Sequence, residues 1–317
     1  MYYPFFRGKQ FELLLLRDNA EFLALNTIHP IIEPVKNDFS ALIRAMTALF
    51  EKKDNCTLVV NPQAGQEPVP TDIILSELID KQFKEYKNIS LGYMMHAKAD
   101  IGDLISLVKK YSNFSFSILH CGYSNGKQLA DALDGFQNIK THIFIEGSTG
   151  KLYQRHFKKN GIKRVLIRNG FKPQKKNSNY PPNEHFSDLH LTYPDEGMDG
   201  FGDYLIVGDD YSESGGPAYA VAIHLTYLNA ENDMLIFHFI SDQTDSPIYP
   251  GGKFLEALAK MIKELEKPNS LIFHSNACEE YKKLYHEKHF SGLGSVKKLS
   301  MQHHIEIMAD FLNKQGI

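Results

Sequence analysis

Seven polar side chains in this chain each end a short apolar run: Arg7, Glu33, Asn61, His96, His120, Glu146 and Arg168. Residues of these types could carry acid–base or anion-binding chemistry. Glu33 and Glu146 are candidates for a general acid and a general base across a shared mouth. The competing role for each is to hold a cation, because a carboxylate at the end of a buried strand needs a partner. His96 and His120 end neighbouring runs and are candidates for proton transfer. No HxH or HExxH spacing supports a metal, so a hydrogen-bonded role is the stronger expectation for both. Cys121 follows His120, but adjacent strand residues face opposite sides, so the two cannot form a dyad by themselves.

Arg7-Gly8-Lys9-Gln10 has the composition of an anion-binding corner. The glycine permits a tight turn, a helix N-terminus favours negative charge, and Arg7 and Lys9 add cations. The alternative is a solvated turn with Arg7 paired to Glu33 or Glu146. Asn61, Arg168 and Asp209, at the ends of later runs, complete the candidate binding set. The glycine-rich stretch from Gly200 to Gly208 lacks the residues of a P-loop and the GxGxxG spacing, so no cofactor is specified.

What positions these side chains is a repeated rhythm. Apolar runs at residues 2–6, 30–35, 56–60, 89–95, 114–119, 141–145 and 164–167 recur roughly every 22–32 residues, the length of a βα unit. An eighth run, 204–207, follows a long insertion. Eight such units predict a single (β/α)8 barrel of the TIM type, whose site lies at the C-terminal ends of its strands. A doubly wound sheet is the competing fold. The insertion at 171–202 is rich in Pro and Gly with no sustained period. Residues 218–241 predict an appended β-hairpin, and 252–317 a helical C-terminal part. His303-His304, on the last helix, is expected at the surface.

The chain has 317 residues, 43% hydrophobic and 23% charged, with a formal net charge of −3. That balance gives no global reason to expect nucleic acid or a membrane surface as partner. Cys56, Cys121 and Cys278 are too few and too scattered for a disulfide framework or zinc cluster. With no signal-like segment and no apolar stretch long enough to span a bilayer, the expected location is cytoplasmic.

The opening block Tyr3-Pro4-Phe5-Phe6-Arg7-Gly8-Lys9-Gln10-Phe11-Glu12, with Ile31-Ile32-Glu33-Pro34, resembles the phage beta-protein family and its bacterial relatives. Gly202-Asp203-Tyr204 and His224-Leu225-Thr226-Tyr227 resemble a second block of that family, so the likeness spans most of the chain. It implies no particular reaction, but it does imply a setting in phage defence. Two functions are therefore expected to compete. One is a barrel that binds or acts on a small anionic, phosphate-containing or nucleotide-like ligand at its strand ends. The other is a non-catalytic module that docks a protein partner through the hairpin and insertion.

Overall fold

The seven runs form parallel strands, each except the last followed by helix. In the computed structural model they are β1 (Phe5–Phe6), β2 (Ile31–Ile32), β3 (Cys56–Val59), β4 (Ile89–His96), β5 (Ser115–Cys121), β6 (Ile139–Ile145) and β7 (Lys163–Ile167). Between them lie α1 (Gln10–Asp18), α2 (Ala20–Leu25), α3 (Ser40–Glu51), α4 (Thr71–Ile74, continued by a π-helical turn), α5 (Ile101–Lys110), α6 (Gly126–Leu133) and α7 (Lys151–Arg155). The structure describes every residue except Gln66, Glu213, Ser214 and Ile317. Contacts divide the chain into two compact units, Met1–Arg168 with Thr192–Asp203, and Asn169–Leu191 with Tyr204–Ile317.

The first unit is the barrel. Next in the chain come β8 (Asn183–Ser187), which belongs to the other unit, and α8 (Leu189–Thr192). The last barrel strand, β9 (Gly200–Gly202), pairs in parallel with β7. Tyr3 N–H donates to Phe201 O (2.8 Å) and Phe5 N–H to Asp203 O (2.9 Å), which joins β9 back to β1 and closes the ring. The Tyr2 hydroxyl adds a buried bond to Asp203 Oδ1 at 2.8 Å.

The eighth strand is therefore not 204–207 but Gly200–Gly202, inside the expected insertion. Two glycines suggest a loop by local signals, yet here they permit a close approach of backbones. A Cβ at Gly202 would lie 2.6 Å from Ile167 Cδ1 and overlap the Tyr3 carbonyl. The apolar run Tyr204-Leu205-Ile206-Val207 instead turns, with Leu205 at φ 53°, and Tyr204, Leu205 and Ile206 are buried.

Alternation along the strands decides what faces the lumen. Thr57 Oγ1 and Ser117 Oγ lie 3.3 Å apart although β3 and β5 are not neighbours, so both point inward. Counting by two places Leu119 and Cys121 inside and His120 outside. Register pairs Met94 with Leu119 and His96 with Cys121, on the same face. The interior is packed with Phe5, Ile31, Val59, Leu119, Ile143, Val165 and Ile167, as expected of a barrel core rather than a pore.

The second unit holds β10 (Ala222–Leu228) and β11 (Met234–Ile240), the expected hairpin, with β8 on the far side of β11. Helices α9 (Pro250–Leu265), α10 (Asn276–His286) and α11 (Leu293–Gln315) supply its core, where Val221, Ile223 and Leu225 meet Phe254, Leu258, Met261, Tyr281 and Leu299. His303 and His304 are not at the surface; both are fully buried. His303 bonds Ser275 Oγ (2.7 Å) and the Thr226 carbonyl (2.8 Å), and His304 bonds Thr226 Oγ1 (3.0 Å). Among the described residues no helix is long and apolar enough to cross a membrane.

Candidate functional site

Arg7 leaves β1 on the lumen side, and Glu33 leaves β2 beside it. Arg7 Nε lies 3.1 Å from Glu33 Oε2. Glu33 Oε1 accepts the N–H groups of Gln63 (2.7 Å) and Ala64 (2.9 Å), so this carboxylate ties together the ends of three units. The guanidinium also stacks 5.7 Å from the Phe5 ring centroid. Gly8 takes φ +58°, and a Cβ there would lie 2.8 Å from Glu33 O, so only glycine suits this turn. Arg7 N–H donates to Glu12 Oε2 at 2.5 Å. Burial pushes the Glu12 carboxyl up to about 7, against the pull of Lys9 and Arg7. Lys9 stands at the start of α1 without capping it through its side chain.

The other candidates separate. Asn61 donates to Met94 O (3.0 Å) and accepts Met94 N–H (2.7 Å), so its amide acts as a peptide-like splint on β4. His96 Nδ1 accepts Lys98 N–H at 3.2 Å. His120 is fully buried on the outer face of β5, between Tyr153 Oη (2.8 Å) and His142 Nδ1 (3.0 Å), against Phe144 and Phe157. Desolvation holds the His120 imidazole well below its ordinary value, with His142 adding to the effect, so it is a neutral core residue. Cys121, not His120, faces inward, but burial and then the charge of Glu33 push its thiol up to about 12, leaving no thiolate at neutral pH.

Glu146 is held by Arg168, whose Nε lies 2.9 and 3.0 Å from its two oxygens. Arg168 also reaches Glu196 at 3.7 Å, and Lys151 pairs with Glu196. Each candidate carboxylate thus closes on its own arginine. Asp209 belongs to the second unit, where Oδ1 accepts from Asn169 Nδ2 at 2.6 Å. Among the described residues no group of three or more His, Cys, Asp or Glu is placed to hold a metal ion.

These pairs differ in worth. Glu33 is 2% exposed at its side chain and Arg7 14%, whereas Glu146 is 44% exposed. Glu33→Ala strands the arginine and two N–H groups, an expected loss of about 3–5 kcal/mol in urea unfolding. Glu146→Ala is expected to cost under about 1 kcal/mol. Equal losses for the two variants would show that the Glu33 clamp is not the stronger one.

A cavity of about 230 Å³ opens directly beside the Arg7 corner, between α1 and α3. Its polar rim is Gly8, Gln10, Arg17, Lys36, Asp38 and Arg44; its floor is apolar, from Leu13, Leu14, Val35 and Leu42. Arg17 is held by Asp18 at 2.8 Å. Among the described residues Lys36 and Arg44 are in no ion pair. Asp38, the single acid of the lining, is held below the usual carboxylate range by its bonds to Ser40 first and then by the charges of Arg44 and Lys36. With Arg17 held by Asp18, two cations, Lys36 and Arg44, therefore share the single carboxylate of the lining over an apolar floor. Arg17 and Arg44 escape notice in the sequence because only the packing of α1 on α3 brings them to one rim. Compared with known proteins, the chain matches no family model and no curated protein sequence.

Proposed function

We propose that the barrel binds a small anionic ligand at the C-terminal ends of β1 and β2, in the cavity between α1 and α3. The observation that carries this reading is the excess of cations there, with Lys36 and Arg44 in no ion pair. Arg7 and Glu33 act by holding the Gly8 turn, which forms one wall. The apolar floor favours a ligand with an anionic head and an apolar body, such as a nucleoside monophosphate. The candidate acid–base set of Glu33, Glu146, His96 and His120 is not part of this reading, because the carboxylates and His120 are engaged in the bonds described above.

The test is thermal stabilisation by nucleoside monophosphates and sugar phosphates. At ligand 100-fold above Kd the expected gain is about 2.7 kcal/mol, a shift of several degrees. Arg44→Ala and Lys36→Ala are expected to remove the shift while leaving the unliganded melting temperature in place. No shift with any ligand, or a shift indifferent to both variants, overturns the proposal. We extend the proposal to phage defence, the setting that the likeness of the opening block to the phage beta-protein family implies. Plaque counts on cells carrying the wild-type or the Arg44→Ala gene then test that setting.

A second reading, the docking module, has one observation of its own. Tyr219, Ile248 and Tyr249 are exposed, and the buried Lys253 fixes their loops by donating to Ala218 O (3.0 Å) and to Ser246 O. Ile248→Asp with Tyr249→Ser is expected to release a co-expressed protein partner if this reading holds.

A further inference from the structure

The opposite end of the barrel carries a second cavity, of about 340 Å³. It is ringed by residues that enter the strands: Lys53 before β3, Lys87 before β4, Lys140 in β6 and Lys163 at the start of β7. Each comes from a different βα unit, so only the closed ring brings the four ammonium groups to one rim. Among the described residues their one ion pair is Lys87 with Glu85, at 3.9 Å. Lys163 Nζ instead lies 3.7 Å from Met1 Sδ. The one acid on the wall is Asp54, which is buried, and burial pushes its carboxyl up to about 7.

The floor is polar where a barrel normally packs branched apolar side chains. His29 bonds Thr57 (2.9 Å), Thr57 approaches Ser117 (3.3 Å), and Ser117 bonds Ser90 (2.8 Å). Asn55, Asn88, Ser115 and Thr141 add further donors on the wall. His29 registers the local field, since its depression to about 3 comes from burial first and then from Lys163. A chain of net charge −3 has no general surplus of cations to scatter here. Four lysines line one cavity whose wall holds a single acid, Asp54, and like charges on one rim repel one another.

We propose that this N-terminal basin is a second binding site, taking a short chain of phosphates through Lys53, Lys87, Lys140 and Lys163. Lysine ammonium groups are compact point charges that bind phosphate without a fixed geometry. Four of them suit a di- or triphosphate better than a single phosphate. The shared chemistry has two sources, a free inorganic polyphosphate and the phosphate tail of a nucleotide.

Isothermal titration at low ionic strength tests the site, with inorganic tripolyphosphate, a nucleoside triphosphate and the parent nucleoside as probes. Both phosphates are expected to bind one per chain, and the nucleoside not at all. Tighter binding of the nucleotide than of tripolyphosphate identifies the tail of a nucleotide as the natural ligand; equal binding identifies the inorganic chain. The exposed pair Lys53→Ala with Lys140→Ala is expected to weaken tripolyphosphate at least tenfold without changing the melting temperature. The Lys36→Ala and Arg44→Ala variants of the opposite end are expected to leave it unchanged. Failure of both phosphates to saturate, or loss of binding through Lys36 and Arg44 alone, overturns the proposal. Because the two sites share no residue, either can fail while the other stands.

Discussion

Lowering the pH from 7 to 4 is expected to unfold this protein, the second unit before the barrel. Five buried histidines are held neutral by desolvation: His29 and His142 fall to about 3, His303 to about 4, and His120 and His224 well below their ordinary value. An unfolded histidine takes its proton near pH 6.5, so below that pH the unfolded state binds more protons than the folded one. The histidine contribution to stability is therefore complete above pH 6.5 and falls as the pH drops toward the folded values. Each such group costs about 1.4 kcal/mol per pH unit in that window.

Glu12 and Asp54 work in the other direction. Their folded carboxyls titrate at about 7, above the unfolded values, so their contribution is full at low pH and is lost as pH rises through about 7. Both lie in the barrel, where they offset two of its three histidines, His29, His120 and His142. The second unit holds His224 and His303 with no such carboxyl, and His238 shifts in the same direction through burial. Its net loss is at least about 3 kcal/mol per pH unit below 6.5, against about 1.4 for the barrel. Typical domains have only about 5–15 kcal/mol to lose. Peptide-resolved hydrogen exchange is expected to show β10, β11 and α11 opening at a higher pH than β4 to β6. Protection of the second unit that persists to pH 4, or a barrel that opens first, contradicts the assignment of these histidines as neutral.

Gly202→Ala is expected to be the most damaging single methyl group in the barrel. It overlaps the Tyr3 carbonyl and crowds Ile167 at the seam where β9 meets β1. The backbone that would have to move carries the bonds from Tyr3 and Phe5 that close the ring. Overlap against backbone cannot be relieved by a rotamer, so a loss above about 4 kcal/mol is expected. Gly150→Ala is the control, since a Cβ there meets nothing within 4 Å and the residue has an ordinary φ of −80°. It is expected to stay within about 1 kcal/mol of wild type. Urea unfolding of the two variants decides the point, and similar midpoints would mean that the ring does not depend on this seam.

Local signals sufficed where the cause was local. The recurring apolar runs follow from the period of two along a strand and the length of a crossover, so seven strands and the pairing of Arg7 with a strand-end glutamate were legible in the chain. The hairpin turn between Leu228 and Met234 was legible for the same reason. Which of two adjacent residues faces the lumen was not, because a run of buried residues has no polar side to mark. His120 and Cys121 therefore exchange the roles their order suggested.

Other features depended on partners far along the chain. Glycines at 200 and 202 look like a loop until Met1 and Tyr3, some two hundred residues earlier, are seen to press against them. His303 and His304 look like surface until Thr226 and Ser275 supply their bonds. Lys36 with Arg44, and Lys53 with Lys140, are scattered charges in one dimension. The sequence by itself determined a barrel and the ends at which chemistry is possible, since periodicity is a property of neighbouring residues. Only the tertiary structure decided which cations share a cavity and which polar groups are already spent, because charge density and desolvation arise from residues that meet only after the ring has closed.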